Sequence, residues 1–103
     1  MTDFSLPGSK PPPNPLEVIR AFLGQAIGIG APAYNAGDHR GCYEVYACTA
    51  RLMLRAIDGA EESKKLLRRA LEQASTVPDV NEQAWIMRRA FDSILGETAP
   101  DLN

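Results

Sequence analysis

The stretch CYEVYACTARLMLRAI, residues 42–57, decides the fold. Stepped at about 100° per residue, Cys42, Val45, Tyr46, Thr49, Leu52, Met53, Ala56 and Ile57 fall on one side of a helix. Tyr43, Ala50 and Leu54 widen the apolar arc to roughly 200°. Arg40, Glu44, Arg51 and Arg55 are left as a narrow polar strip. A helix apolar over so much of its circumference must be covered from two sides. It is therefore the central helix of an all-α fold, with the other segments arranged around it.

Upstream, Asn14-Pro15-Leu16-Glu17 combines a capping Asn, a proline at the first helical position and a Glu three residues after the cap. Ile19, Phe22, Leu23, Ala26 and Ile27 follow with the spacing of one buried face. This predicts a first helix over about 15–34. Gly28, Gly30 and Pro32 weaken its end, so either a kinked helix reaching Tyr34 or a break near Ile29 fits. Asn35-Ala36-Gly37-Asp38 reads as a turn, with Asp38 capping a second helix over about 38–58.

Asp58-Gly59-Ala60-Glu61 stops that helix and starts a third over 60–75, with Gly59 available as a C-cap and Asp58…Glu61 spaced as a capping box. Leu66, Leu67, Ala70, Leu71 and Ala74 form its apolar stripe. After Pro78, Asp79…Glu82 repeats the capping-box spacing. A fourth helix over 80–95 then buries Ala84, Met87, Ala90, Phe91, Ile94 and Leu95 and closes at Gly96. Four helices with short connections predict an antiparallel four-helix bundle or two stacked helical hairpins. That domain spans 14–96. Before it, five of the eight prolines crowd the first fifteen residues, which marks 1–13 as an extended proline-rich arm. Residues 97–103 read as a polar tail.

Composition narrows function by exclusion. The chain has 103 residues, enough for one domain, and 24 Ala and Leu against 14 Val, Ile and Thr, a helical bias. Eleven basic residues against 13 acidic ones leave a net charge of −2, without the basic surplus that sequence-independent nucleic-acid binding requires. No 18-residue apolar run and no signal-peptide pattern occur, so neither a membrane nor export is expected. Two cysteines are too few for a disulfide framework, and a soluble, cytoplasmic protein without cofactors is the expectation.

Several motifs invite a chemical reading. Gly28-Ile29-Gly30-Ala31-Pro32-Ala33 has the letters of a dinucleotide fingerprint, G-x-G-x-x-A, but helical periodicity, not a strand, precedes it. A kink or a close helix contact accounts for it, with Gly24 and Gly28 four apart as the approach point. Ile29-Gly30 with Tyr34, the turn at Asn35–Asp38, then Cys42 and Tyr46, resembles the turn region of a tetratricopeptide-type hairpin, L-G-x-x-Y followed by A-x-x-x-F. Tyr34 stands one place late, and the second helical pair lacks the Gly and Tyr positions. The resemblance covers about one helical pair and implies a shared way of packing two helices, with no function attached.

Asp38, His39 and Cys42 lie together on the first turns of the second helix, the start of a metal or small-ligand site that Tyr34, Tyr43 and Tyr46 would line. Zinc asks for a fourth ligand or a water, and Cys48 sits about 120° away around the helix. No second His exists. A buried Cys42 and a turn-side His39 explain the trio without metal. No nucleophile–base pair is spaced for catalysis, and the acids serve as caps or helix partners: Glu61 with Lys65, Arg68 with Glu72, Arg88 with Asp92. An enzyme is not expected.

Two features outlast this weighing. Arg68-Arg69 and Arg88-Arg89 flank the Pro78 turn at similar distances, so a hairpin of the third and fourth helices brings four guanidinium groups level. Trp85 projects about 150° from the centre of its helix's apolar arc, among Arg88, Arg89 and Asp92. Trp beside Arg is the composition of an interface hot spot. Alternatively, the proline arm or the first helix covers the indole. The expected function is a small non-catalytic interaction module that binds a protein partner or itself through Trp85, Arg88 and Arg89, extended by Arg68 and Arg69.

Overall fold

The computed structural model describes residues 14–96; the proline arm at 1–13 and the tail at 97–103 lie outside the described residues. The described residues form four α-helices and no strand: α1 (Pro15–Asn35), α2 (His39–Ala56), α3 (Glu61–Ala74) and α4 (Val80–Leu95). α2 packs against all three other helices, as its wide apolar arc demands, and α1 touches α4 as well. The core is built on Tyr46, Phe91, Ile19, Leu23, Met53, Leu67, Met87 and Cys42, all fully buried. No helix among the described residues is long and apolar enough to cross a membrane.

Of the two endings open to α1, the structure takes the continuous one. The helix runs through Pro32 to Asn35, then closes with Asp38 N–H donating to Ala33 O at 2.9 Å and Gly37 N–H to Tyr34 O at 2.9 Å. Gly37 has φ +93°, the left-handed residue that this kind of helix end requires. At the opposite end the Asn14 side chain accepts from Leu16 N–H and Glu17 N–H.

The α2–α3 junction departs from expectation. Asp58…Glu61 makes no capping box: the N-cap of α3 is Ala60, left-handed at φ +52°, with no side-chain cap, and α2 ends at Ile57, not on Gly59. Lys64 supplies the missing polar partner from the second turn of α3. Its Nζ donates to Ile57 O at 2.6 Å and lies 3.5 Å from Glu61 Oε2, so the ammonium neutralises the end of α2 while its stem is buried. Glu61 therefore meets Lys64 where Lys65 was expected. α4 starts on Asp79, whose carboxylate accepts from Asn81 N–H.

Glycine placement is also corrected. Nothing approaches Gly24 or Gly28; the close contact is at Gly30, where an added Cβ would stand 2.5 Å from Tyr46 Cε1. The Tyr46 ring lies on the α1 backbone there, and its other side meets Phe91 with ring centroids 5.1 Å apart. Five core assignments shift for the same reason, that neighbours set the buried side. Phe22, Leu52 and Ala56 are exposed, whereas Ala47 and Ile86 are buried.

Candidate functional site

The α1–α2 turn brings together side chains that the sequence placed in two separate hypotheses. Trp85 on α4 donates from Nε1 to the Tyr34 hydroxyl at 2.8 Å, and that hydroxyl donates onward to Asn81 Oδ1. The Tyr34 ring meets the indole edge-on at a centroid distance of 5.7 Å and stacks on His39 at 4.2 Å. Asp38 caps α2 by accepting from Gly41 N–H at 2.9 Å, and its carboxylate occupies the place a Cβ at residue 41 would take. The turn is thereby held from both of its helices.

Beside this cluster lies a cavity of about 160 Å³, lined by Ala31, Tyr34, Asn35, Cys42, Tyr46, Ala84, Trp85 and Arg88. Its volume is that of a single ring or a branched aliphatic group. Trp85 forms part of the wall while remaining 41% exposed, so the indole is neither core nor free surface. Arg88 is half-buried and holds Asp92 Oδ1 with its Nε at 3.1 Å. Burial alone would disfavour its charge, but Asp92 and the Tyr46 hydroxyl more than offset this and raise its pKa.

The inner groups are chemically quiet. Burial pushes the Tyr46 phenol up to about 12, with the hydrogen bond to Cys42 adding to the rise. Burial likewise pushes the Cys42 thiol up, against the lowering effect of the Tyr46 contact. Neither group is ionised near neutral pH, so the cavity holds no ready nucleophile or carboxylate base. Cys48 is exposed on α2.

The sites expected from sequence are redistributed. The trio Asp38, His39 and Cys42 does not converge: one caps a helix, one stacks on Tyr34, and one is buried under the cavity. No group of three metal-ligating side chains forms among the described residues. The four arginines do not line one cavity. Arg88 turns into the Trp85 cavity, whereas Arg89 pairs with Glu82 Oε2 at 3.0 Å. Arg89 and Arg69 border a second groove of about 200 Å³ between α3 and α4, floored by Leu66, Ala70, Ile86 and Ala90. Arg68 is exposed and lines neither. Sequence reasoning missed Asn81. Its only signal was position, one helical turn before Trp85 on the same face.

No protein-family model, curated protein or solved structure matches the chain.

Proposed function

We propose that the protein is a non-catalytic interaction module that captures one apolar group of a protein partner in the Tyr34–Trp85–Arg88 cavity. The helices read as two stacked hairpins, α1 with α2 and α3 with α4, and the cavity lies where the first hairpin meets α4. One observation carries the functional reading. The chain's single Trp is held half-exposed by a hydrogen bond to Tyr34, on the wall of a cavity large enough for a side chain. A rigid aromatic anchor at the edge of a pocket is the usual core of a binding hot spot, because its rotamer is set before the partner arrives. Arg88, anchored on Asp92, adds a donor to the lining. The pKa directions of Tyr46 and Cys42 support a binding role over a catalytic one.

Selection of displayed random peptides on the wild-type chain, with counter-screening on Trp85→Ala, tests this. The expected result is a set of peptides that bind the wild type and lose binding to the variant, while the variant keeps its helical content. Peptides that bind both proteins alike, or none at all, overturn the reading.

A further inference from the structure

We infer that the occupant of the Tyr34–Trp85–Arg88 cavity is the C-terminal residue of the protein partner, with its apolar side chain against the aromatic wall and its α-carboxylate on Arg88. The inference rests on the reading of the cavity given above and names the chemistry of the group that fills it.

The first observation is a cation set into an apolar wall. Arg88 is the one charged residue of the lining. Its side chain is 29% exposed, so water screens it less than it screens Arg89, which is 60% exposed. A guanidinium has five N–H donors. Asp92 Oδ1 accepts from Nε at 3.1 Å and the Tyr46 hydroxyl takes a second, which leaves Nη donors open to a ligand. The acids of the adjoining turns are already held, Asp38 by Gly41 N–H and Asp79 by Asn81 N–H.

Charge balance fixes the kind of anion. Arg88 stands alone in the lining and Asp92 offsets part of its field, so a doubly charged phosphate would lack a second cation. A singly charged carboxylate fits, taking two parallel N–H···O bonds end-on from the two Nη atoms.

The second observation is size, which fixes where in a chain that carboxylate sits. The cavity of about 160 Å³ admits one ring or one branched aliphatic group, with Arg88 in its wall. An apolar side chain and a carboxylate belong to the same residue only at the end of a chain. Inside a chain the same place is taken by a neutral amide, and in an extended segment an adjacent Asp or Glu points to the opposite side. The exposed rim residue Asn35 suits a chain end as well. Its side-chain amide both donates and accepts, as the last peptide group of an arriving chain requires.

The test starts from a library of peptides displayed with free C-termini and selected on the wild-type chain. The selected sequence is then synthesised as the acid and as the C-terminal amide, and both forms are titrated by calorimetry into the wild type, Trp85→Ala and Arg88→Gln. The expected peptides share an apolar last residue, and amidation weakens their binding to the wild type about ten- to hundredfold, the loss of charge-assisted hydrogen bonds. Arg88→Gln, with helical content unchanged, should bind acid and amide alike. If that variant does not fold, the acid–amide comparison on the wild type still decides. An amide that binds the wild type as tightly as the acid, with both lost in Trp85→Ala, overturns the carboxylate and leaves the cavity reading standing. A preference for the acid that persists in Arg88→Gln overturns the assignment to Arg88. Failure to select any peptide whose binding needs Trp85 overturns the cavity reading and this inference with it.

Discussion

The Trp85 cavity and the Arg69–Arg89 groove are similar in size and each takes residues from α4, yet they are built differently. In the cavity three polar side chains of the wall meet partners within the fold: Trp85 with Tyr34, Tyr34 with Asn81, Arg88 with Asp92. In the groove Arg89 has one exposed ion pair with Glu82, a contact worth little in water. The difference arises from what stands opposite. The cavity is closed by a third helix, whose Gly30 lets Tyr46 sit against the backbone. The groove has two helices and solvent. Preorganisation here comes from the number of helices that converge, not from the residue types, since each site contains an arginine of α4.

The largest effect tests that convergence. Gly30→Leu should destabilise the fold by about 3 kcal/mol or more, and Gly30→Ala by about 1–3 kcal/mol, because the new side chain must displace the Tyr46 ring. At Gly24 and Gly28, where nothing lies near, alanine should instead raise stability by about 0.5–1 kcal/mol each. Thermal melts of the three alanine variants separate the two signs.

Next in size is the junction remote from both sites. Lys64→Ala leaves the Ile57 carbonyl without its partner and should cost about 1–3 kcal/mol in denaturant unfolding.

Alkaline titration sharpens the contrast between the closed cavity and open surface. The Tyr46 phenol is raised from about 10 to about 12 in the fold, so its contribution to stability is complete below pH 10. That contribution is lost as pH rises through about 12. One of the three tyrosines should therefore ionise late in an absorbance titration, and Tyr46→Phe should remove that step. Alkylation at mildly alkaline pH should label exposed Cys48 first and reach buried Cys42 only on unfolding.

The smallest effects fall on the proposed binding residues. Trp85→Ala removes one hydrogen bond and a half-buried ring, and should lower stability by about 1 kcal/mol while abolishing partner binding. Arg68→Ala, on open surface, should change stability by less than about 0.5 kcal/mol. A collapse of the fold in Trp85→Ala would place the indole in the core and end the comparison.

Much of the helix plan was legible because its signals are local. Asn14-Pro15, the Asn35–Asp38 turn, Asp79 and Gly96 act within a few residues of chain, and each ends or starts a helix as read. Asp58…Glu61 misled because the same letters fit a capping box or a tight left-handed link. The choice fell to Lys64, three residues beyond the box, which buries its stem and caps α2. The site was half legible. Trp85, Arg88, Tyr34 and Cys42 were each singled out, but under two hypotheses, since no rule of spacing says that α4 meets the α1–α2 turn. Asn81 carried only the signal of its position one turn before Trp85, which gained meaning once Tyr34 stood beside it.

By itself the sequence determined four helices, their approximate ends, and a central α2, because hydrogen bonding within a helix and its 3.6-residue period are properties of neighbouring residues. Only the tertiary structure decided where the edges of each buried face lie, which glycine bears a ring, and which cavity each arginine lines. Those depend on residues up to 74 positions apart, as in the hydrogen bond from Arg20 Nε to Ile94 O. The energy of such contacts exists only once packing has excluded water from them.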